Sequence, residues 1–230
     1  GKTELLKYLS TFIPANEKVG VYEDNQEIHY RKINPGKKCA EFFVDEKFSY
    51  SQIIRAGLRH NIDWTLLSES RGPEVLDLLN SLSTGASCMT TIHLDDMRGL
   101  PDRMYNMLGS CDITERFINN IYKYIDVGVL VECDAKERRR ITQMAFYDNE
   151  GGRNTCTVLY DREGKTPQQI PEAYQRRFLR YGRPPYRTFA GAVAGRRPFP
   201  FLPDPAAPEP RIPPAAVCIQ PGMAYYSGTA

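Results

Sequence analysis

Proline is scarce in most of this 230-residue chain: only four of its seventeen (Pro14, Pro35, Pro73 and Pro101) precede Lys165, and lysine is absent beyond that position. The break excludes a single uniform folded unit. The six cysteines, at 39, 88, 111, 133, 156 and 218, always have at least 21 residues between them. That spacing excludes a Cys-x-x-Cys clip and the usual metal-ligand pairs, so they read as reduced, mostly buried thiols. No run approaches the ~20 apolar residues of a membrane-spanning helix. Nothing resembles a secretory leader, and the expected compartment is the cytoplasm. No internal repeat is visible.

What is present, 41% hydrophobic and 25% charged residues, suffices for one sizeable core. Up to Lys165 there are 22 basic and 25 acidic residues, net −3; beyond it 8 basic and 3 acidic residues give +5. The expected division is a folded domain over 1–163 and a Pro/Arg-rich tail over 164–230. The tail lacks amphipathic periodicity and reads as disordered or polyproline-like. A solvated linker, a surface for nucleic acid or anionic lipid, and foreign or frame-shifted sequence all stay open for it.

Within the first 163 residues short apolar runs alternate with helical patterns, which predicts an α/β domain on a largely parallel sheet. Helices are expected from Lys2 to Ile13, Ser49 to Arg59, Pro73 to Gly85 (buried stripe Val75, Leu76, Leu79, Leu82), Arg98 to Leu108 and Ile113 to Tyr124. Strands are expected over Lys18–Tyr22, Ile62–Leu67, Ser87–Ile92, Val127–Glu132, Arg139–Tyr147 and Thr155–Tyr160, with Asp148–Gly152 as a turn. Glu27–Lys32 and Ala40–Asp45 read as a strand pair around Asn34-Pro35-Gly36.

Gly1-Lys2-Thr3 are the last letters of the phosphate-loop pattern G-x-x-x-x-G-K-[ST], and the helix after them would point its positive end at phosphate. The strand and the earlier loop residues are then expected upstream of residue 1. Glu23-Asp24, Glu69 with Arg71, and His93 each follow a predicted buried strand, so in a parallel sheet they share one rim, where ligands of such sheets bind. ATP chemistry there needs a cation on the phosphates, Mg²⁺, and a carboxylate that orients water. Lys2 supplies the cation, Thr3 a hydroxyl for Mg²⁺, and Glu69 a carboxylate beside the metal. Alternatives stay open at each position: Glu69 as a cap of the Pro73 helix, Glu23 as a turn acid, His93 as a core histidine. Arg55 and Arg59 share a helical face that is either solvated or turned to a neighbour's phosphates.

In these boxes the chain resembles the ATPases of type II and type IV secretion and of pilus assembly, most of all the tight-adherence type. Gly1-Lys2-Thr3 resembles the end of their Walker A loop, and Val21-Tyr22-Glu23-Asp24 their aspartate box. Ser51–Arg59 (SQIIRAGLR) is similar to a family helix. Leu66–Gly72 (LLSESRG) is similar to Walker B, and Ser83–His93 (STGASCMTTIH) to the histidine box. The resemblance implies a RecA-like P-loop NTPase fold and a Mg²⁺-dependent ATPase motor. Glu69, Glu23 and His93 would be catalytic, Gly1, Lys2, Thr3 and Arg71 nucleotide-binding, and Thr3 and Glu69 metal-binding. It also implies a homo-hexamer at an inner-membrane platform, peripheral to that membrane; no nucleic-acid partner is expected, because the folded domain is acidic. Ser68 stands where the family has glycine, and Ala86-Ser87-Cys88 replaces His-x-Gly-Ser. A nucleotide-binding but non-hydrolysing scaffold, or a DNA-linked RecA-like ATPase, is the alternative.

Overall fold

A computed structural model describes residues 1–108, 115–133, 138–161, 169–180 and 215–220. The order is α1 (Lys2–Ser10), β1 (Val19–Glu23), α2 (Tyr30–Ile33), β2 (Cys39–Phe43), α3 (Tyr50–Gly57), β3 (Trp64–Leu67), α4 (Glu74–Ser83), β4 (Ser87–His93), α5 (Leu100–Asn106) and α6 (Glu115–Tyr124). After them come β5 (Val127–Cys133), β6 (Arg139–Glu150), β7 (Arg153–Asp161), α7 (Glu172–Arg180) and β8 (Ala215–Gln220). The described strands form one eight-stranded sheet in the order β2-β1-β3-β4-β8-β5-β6-β7. β2, β1, β3 and β4 are parallel, whereas β8 is antiparallel to both β4 and β5. β5, β6 and β7 form an antiparallel meander.

Side-chain alternation along each strand divides the core between two faces. Tyr22, Leu67, Cys88 and Ile92 join Ile54, Val75, Leu78, Met104 and Ile121 of the helices on one side. Val19, Val21, Leu66 and Met89 meet Leu6 of α1 on the other, where Leu5 also packs on Val129 and Val131 of β5. Thus α1 lies across the sheet from β4 towards β5. The cap of α3 is a reciprocal pair: the Ser49 hydroxyl accepts the Gln52 amide while the Gln52 side chain accepts the Ser49 amide.

Several expectations are corrected. Glu27–Lys32 is no strand. One carboxylate oxygen of Glu23 accepts the backbone N–H groups of Glu27 and Ile28, at 3.3 and 2.6 Å. This curls the loop, His29 takes a left-handed φ of 49°, and a single helical turn buries Tyr30. The remaining partner, β2, pairs parallel with β1 instead of closing a hairpin. In α4 the buried stripe is Val75, Leu78, Leu79 and Leu82, with Leu76 turned outward. Strands β6 and β7 reach a two-residue turn, Gly151-Gly152, in which both φ values are positive (61° and 87°), as a tight hairpin of matching twist requires. Of Cys39, Cys88, Cys133 and Cys156 only Cys88 is buried, and Cys133 is exposed. Residues 113–114 of the helix expected from Ile113, and Cys111, lie outside the described residues.

The segment expected as a disordered tail contributes two described elements. Ile170 and Tyr174 pack with Phe146 and Leu159, and the Tyr174 hydroxyl lies 2.9 Å from Asp126 Oδ1; this apolar and polar anchorage holds α7. The backbone of Ala215–Gln220 completes hydrogen bonding between β4 and β5.

Candidate nucleotide site

Because β1, β3 and β4 run parallel, their carboxyl ends meet at one rim, as the strand pattern predicts. Glu23 ends β1, Glu69 follows β3 by two residues, and His93 ends β4. The start of α1 reaches the same rim: Lys2 Nζ lies 2.9 Å from His93 Nε2, 91 positions away in the chain. Glu69 stands between two partners, with Oε1 3.1 Å from His93 Nε2 and Oε2 accepting from Arg71 Nη2 at 2.8 Å. Arg71 Nη1 continues to Asp24 Oδ2 at 3.1 Å. A single polar chain therefore joins Lys2, His93, Glu69, Arg71 and Asp24, drawn from four separate segments.

Charge follows from this geometry. Burial pushes the Glu69 carboxyl up, but the Arg71 hydrogen bond and the positive charges of Lys2 and Arg71 outweigh it, so its pKa is lowered. Burial lowers the pKa of Lys2, with Glu69 opposing. His93 is lowered by burial and by the neighbouring Lys2 charge. His93 Nε2 faces both Lys2 Nζ and Glu69 Oε1, and its Nδ1 is buried without a hydrogen-bond partner among the described residues. The Glu69 hydrogen bond raises the Arg71 pKa further. The rim thus holds an ionised carboxylate fixed by a permanent cation.

Glu69 does not cap α4, which has no side-chain cap hydrogen bond; at the start of that helix Glu74 Oε1 instead accepts the amides of Arg71 and Gly72, ahead of the helix, at 2.6 and 2.8 Å. Ser68, which stands where the resembled family has glycine, turns its hydroxyl to Tyr50 Oη at 3.1 Å, and its carbonyl accepts from Thr91 Oγ1 at 2.6 Å. Thr3 Oγ1 donates to Glu27 Oε2 at 3.1 Å. Arg55 pairs with Asp77 at 2.7 Å, and Arg59 lies in a 3-10 turn, Leu58–His60, that follows α3 directly. Glu27, Tyr50 and Glu74 escape sequence reading. Glu74 carries a signal, an acid in the first turn of a helix that lacks a Ser or Asp cap.

Glu23 is 2% exposed and is brought to the rim as an organiser of the 24–29 loop. Glu23→Ala is expected to lower stability by about 2 kcal/mol, because two amides lose an acceptor, whereas Glu23→Gln retains one. Burial raises the Glu23 pKa against the Ile28 and Glu27 hydrogen bonds, so its ionisation opposes folding as pH rises from the ordinary carboxyl range through the folded-state value. Denaturant titrations of both variants across that range check this: Glu23→Gln loses the pH-dependent decline.

An α-helix that opens on Lys-Thr at the carboxyl rim of the parallel strands β1, β3 and β4, near the carboxylate that follows β3, has the layout of an α/β P-loop domain. Residues 1–167 match the model of the type II/IV secretion system protein family, and the chain belongs to that family. It is similar to the VirB11 ATPase of the Brucella suis type IV secretion system, solved in complex with sulphate. The TM-score is 0.57 at 24% identity, over 64% of this chain and 45% of that one, a likeness of fold. A putative conjugal transfer protein of Mycobacterium tuberculosis is 29% identical over 166 residues, 70% of this chain and 47% of that protein. An uncharacterized Bacillus anthracis protein is 32% identical over 107 residues, 46% of this chain and 24% of its own length. The chain spans less than half the length of these curated relatives. Among the described residues no helix is long and apolar enough to cross a membrane.

Thr3 and Glu69 carry hard oxygens of the kind that magnesium takes together with substrate phosphates; Thr3 Oγ1 is bonded to Glu27 and Glu69 to Arg71. Among the described residues no group of three or more His, Cys, Asp or Glu side chains is placed to hold a metal.

Proposed function

We propose that the full-length protein is a Mg²⁺-dependent ATPase that drives secretion or pilus assembly. In this reading it works as a homo-hexamer in the cytoplasm, against platform proteins of the inner membrane. The observation that carries the proposal is the Lys2–His93–Glu69–Arg71 chain at the start of α1, which supplies a phosphate-binding cation and an ionised, oriented carboxylate at one point. Lys2 would leave His93 for the β- and γ-phosphates, which also meet the positive end of α1. Thr3 and Glu69 would hold Mg²⁺, which when bound neutralises phosphate charge. Glu69, kept ionised and aimed by Arg71, orients and deprotonates the attacking water. His93, released by Lys2, is in place to contact the terminal phosphate. Glu23 supports the site by shaping the loop against which Thr3 rests.

The mechanical role and the membrane platform rest on family membership. The test is ATP turnover by the full-length protein, measured with Mg²⁺ and with excess chelator. The proposal requires turnover that chelation abolishes. Tight nucleotide binding without turnover would instead assign the protein to a non-hydrolysing scaffold, for which Ser68 is the sequence feature; its hydrogen bond to Tyr50 accounts for Ser68 without loss of the site.

A further inference from the structure

The polar chain at the rim ends on Asp24, and the aim of Glu69 depends on that end. The side chain of Arg71 is 60% exposed, and an exposed ion pair by itself holds a long side chain only loosely. What fixes the guanidinium is a second carboxylate, Asp24 at 3.1 Å beside Glu69 at 2.8 Å. Asp24 in turn needs support, because it stands just past the last residue of β1. Its Oδ1 accepts the Asn25 amide at 2.9 Å. The other support comes from α3: the amide and carboxylate of Asp24 both act on the Tyr50 phenol, whose oxygen lies 3.1 Å from the hydroxyl of Ser68, the residue before Glu69. Tyr50 opens α3 directly after the Ser49–Gln52 cap, and its ring packs against the core beneath that helix. A fixed element therefore carries the phenol.

Resting on the ATPase reading above, we infer that Tyr50 is a positioning residue for hydrolysis: its hydroxyl ties Asp24 to Ser68 and so holds Arg71 where it aims Glu69. The contacts then close into a ring that runs from Asp24 through Arg71 to Glu69, along the backbone to Ser68, and through Tyr50 back to Asp24. A phenol has one proton to give and lone pairs that accept, so Tyr50 can donate to the Asp24 carboxylate while it accepts from the Ser68 hydroxyl. Burial pushes its pKa up to about 12, and it keeps that proton at neutral pH. Ser68 gains a use as well, because glycine in its place would bring no hydroxyl to the ring.

Steady-state ATP turnover by the full-length protein, ADP affinity by calorimetry and crystal structures of the nucleotide-free variants together test the assignment. Tyr50→Phe removes only the hydroxyl. It is expected to lower kcat about ten- to a hundredfold, the range for residues that orient a site from behind, with KM and ADP affinity unchanged, and to release Arg71 from Asp24 in the nucleotide-free structure. Ser68→Ala cuts the ring from the other side and should lower kcat in the same direction, with the double variant falling no further than Tyr50→Phe alone. Parent turnover in a folded Tyr50→Phe variant overturns the inference while the ATPase reading stands; should that variant not fold, parent turnover in Ser68→Ala does so. Equal losses in kcat and ADP affinity overturn it as well, because Tyr50 would then serve the fold or nucleotide binding. Lowered turnover with Arg71 still on Asp24, or additive losses in the double variant, would separate Tyr50 from the ring and overturn it too. Absence of turnover in the unsubstituted protein overturns the ATPase reading and this inference with it.

Discussion

Glu69→Gln is expected to lower ATP turnover of the full-length protein by about 10²–10⁴-fold, the range of a positioned acid–base group, while nucleotide affinity is retained. The reason lies in what each partner of Glu69 requires. Arg71 needs an acceptor at 2.8 Å, which a glutamine oxygen still provides, so the side chain stays in place. What is lost is the charge: an amide neither takes a proton from water nor balances Lys2. Affinity does not suffer, because removing the carboxylate that competes for Lys2 frees that cation for phosphate. Single-turnover kinetics beside equilibrium binding separates the two effects. A variant that hydrolyses at the parent rate would remove Glu69 from the chemistry, and one that no longer binds nucleotide would make it a structural residue.

The second large effect falls on stability. Gly57→Ala is expected to cost about 2–3 kcal/mol, the range of overpacked cores, although alanine normally stabilises a helix relative to glycine by about 0.5–1 kcal/mol. The sign reverses because a Cβ at position 57 would lie 1.9 Å from the Tyr22 hydroxyl oxygen and 2.9 Å from its Cζ. Tyr22 cannot yield easily: it is fully buried, with its pKa pushed up to about 12 chiefly by that burial. Its ring stacks on Phe42 at 4.9 Å between centroids. Any displacement passes to Glu23, its neighbour in β1, and so to the loop beneath Thr3. Thermal unfolding of Gly57→Ala, alone and with Tyr22→Phe, measures the contact. The second change removes the nearer clash and should recover part of the loss; an unshifted midpoint for Gly57→Ala alone would show that α3 moves aside freely.

The sequence makes the strands that deliver the site legible because each is a short apolar run that ends in a charged or polar residue. Val19–Glu23, Trp64–Leu67 and Ser87–His93 lie where the runs place them, and their parallel pairing brings Glu69 and His93 to one rim. Glu27–Lys32 misleads because its residues suit an extended chain, whereas the loop obeys a buried carboxylate four and five positions earlier. Spacing alone could not separate Glu69 at the rim from Glu69 as a helix cap; α4 has no side-chain cap, and the Glu69 carboxylate lies against His93 and Arg71. Leu76 fails for a related reason: helical spacing identifies an apolar stripe but not which edge of it meets the sheet.

By itself the sequence determined the alternation of strands and helices, the break in composition near residue 165, and the order of polar boxes that carries the family resemblance. These are local properties, written in periodicity and in residues that start or stop an element. Only the tertiary structure decided that Lys2 meets His93, that Arg71 ties Glu69 to Asp24, that Tyr50 meets Ser68, and that Ala215–Gln220 lies between β4 and β5. Each of these depends on the order and register of strands distant in the chain, and backbone hydrogen bonding and the shared core on both faces of the sheet set them together.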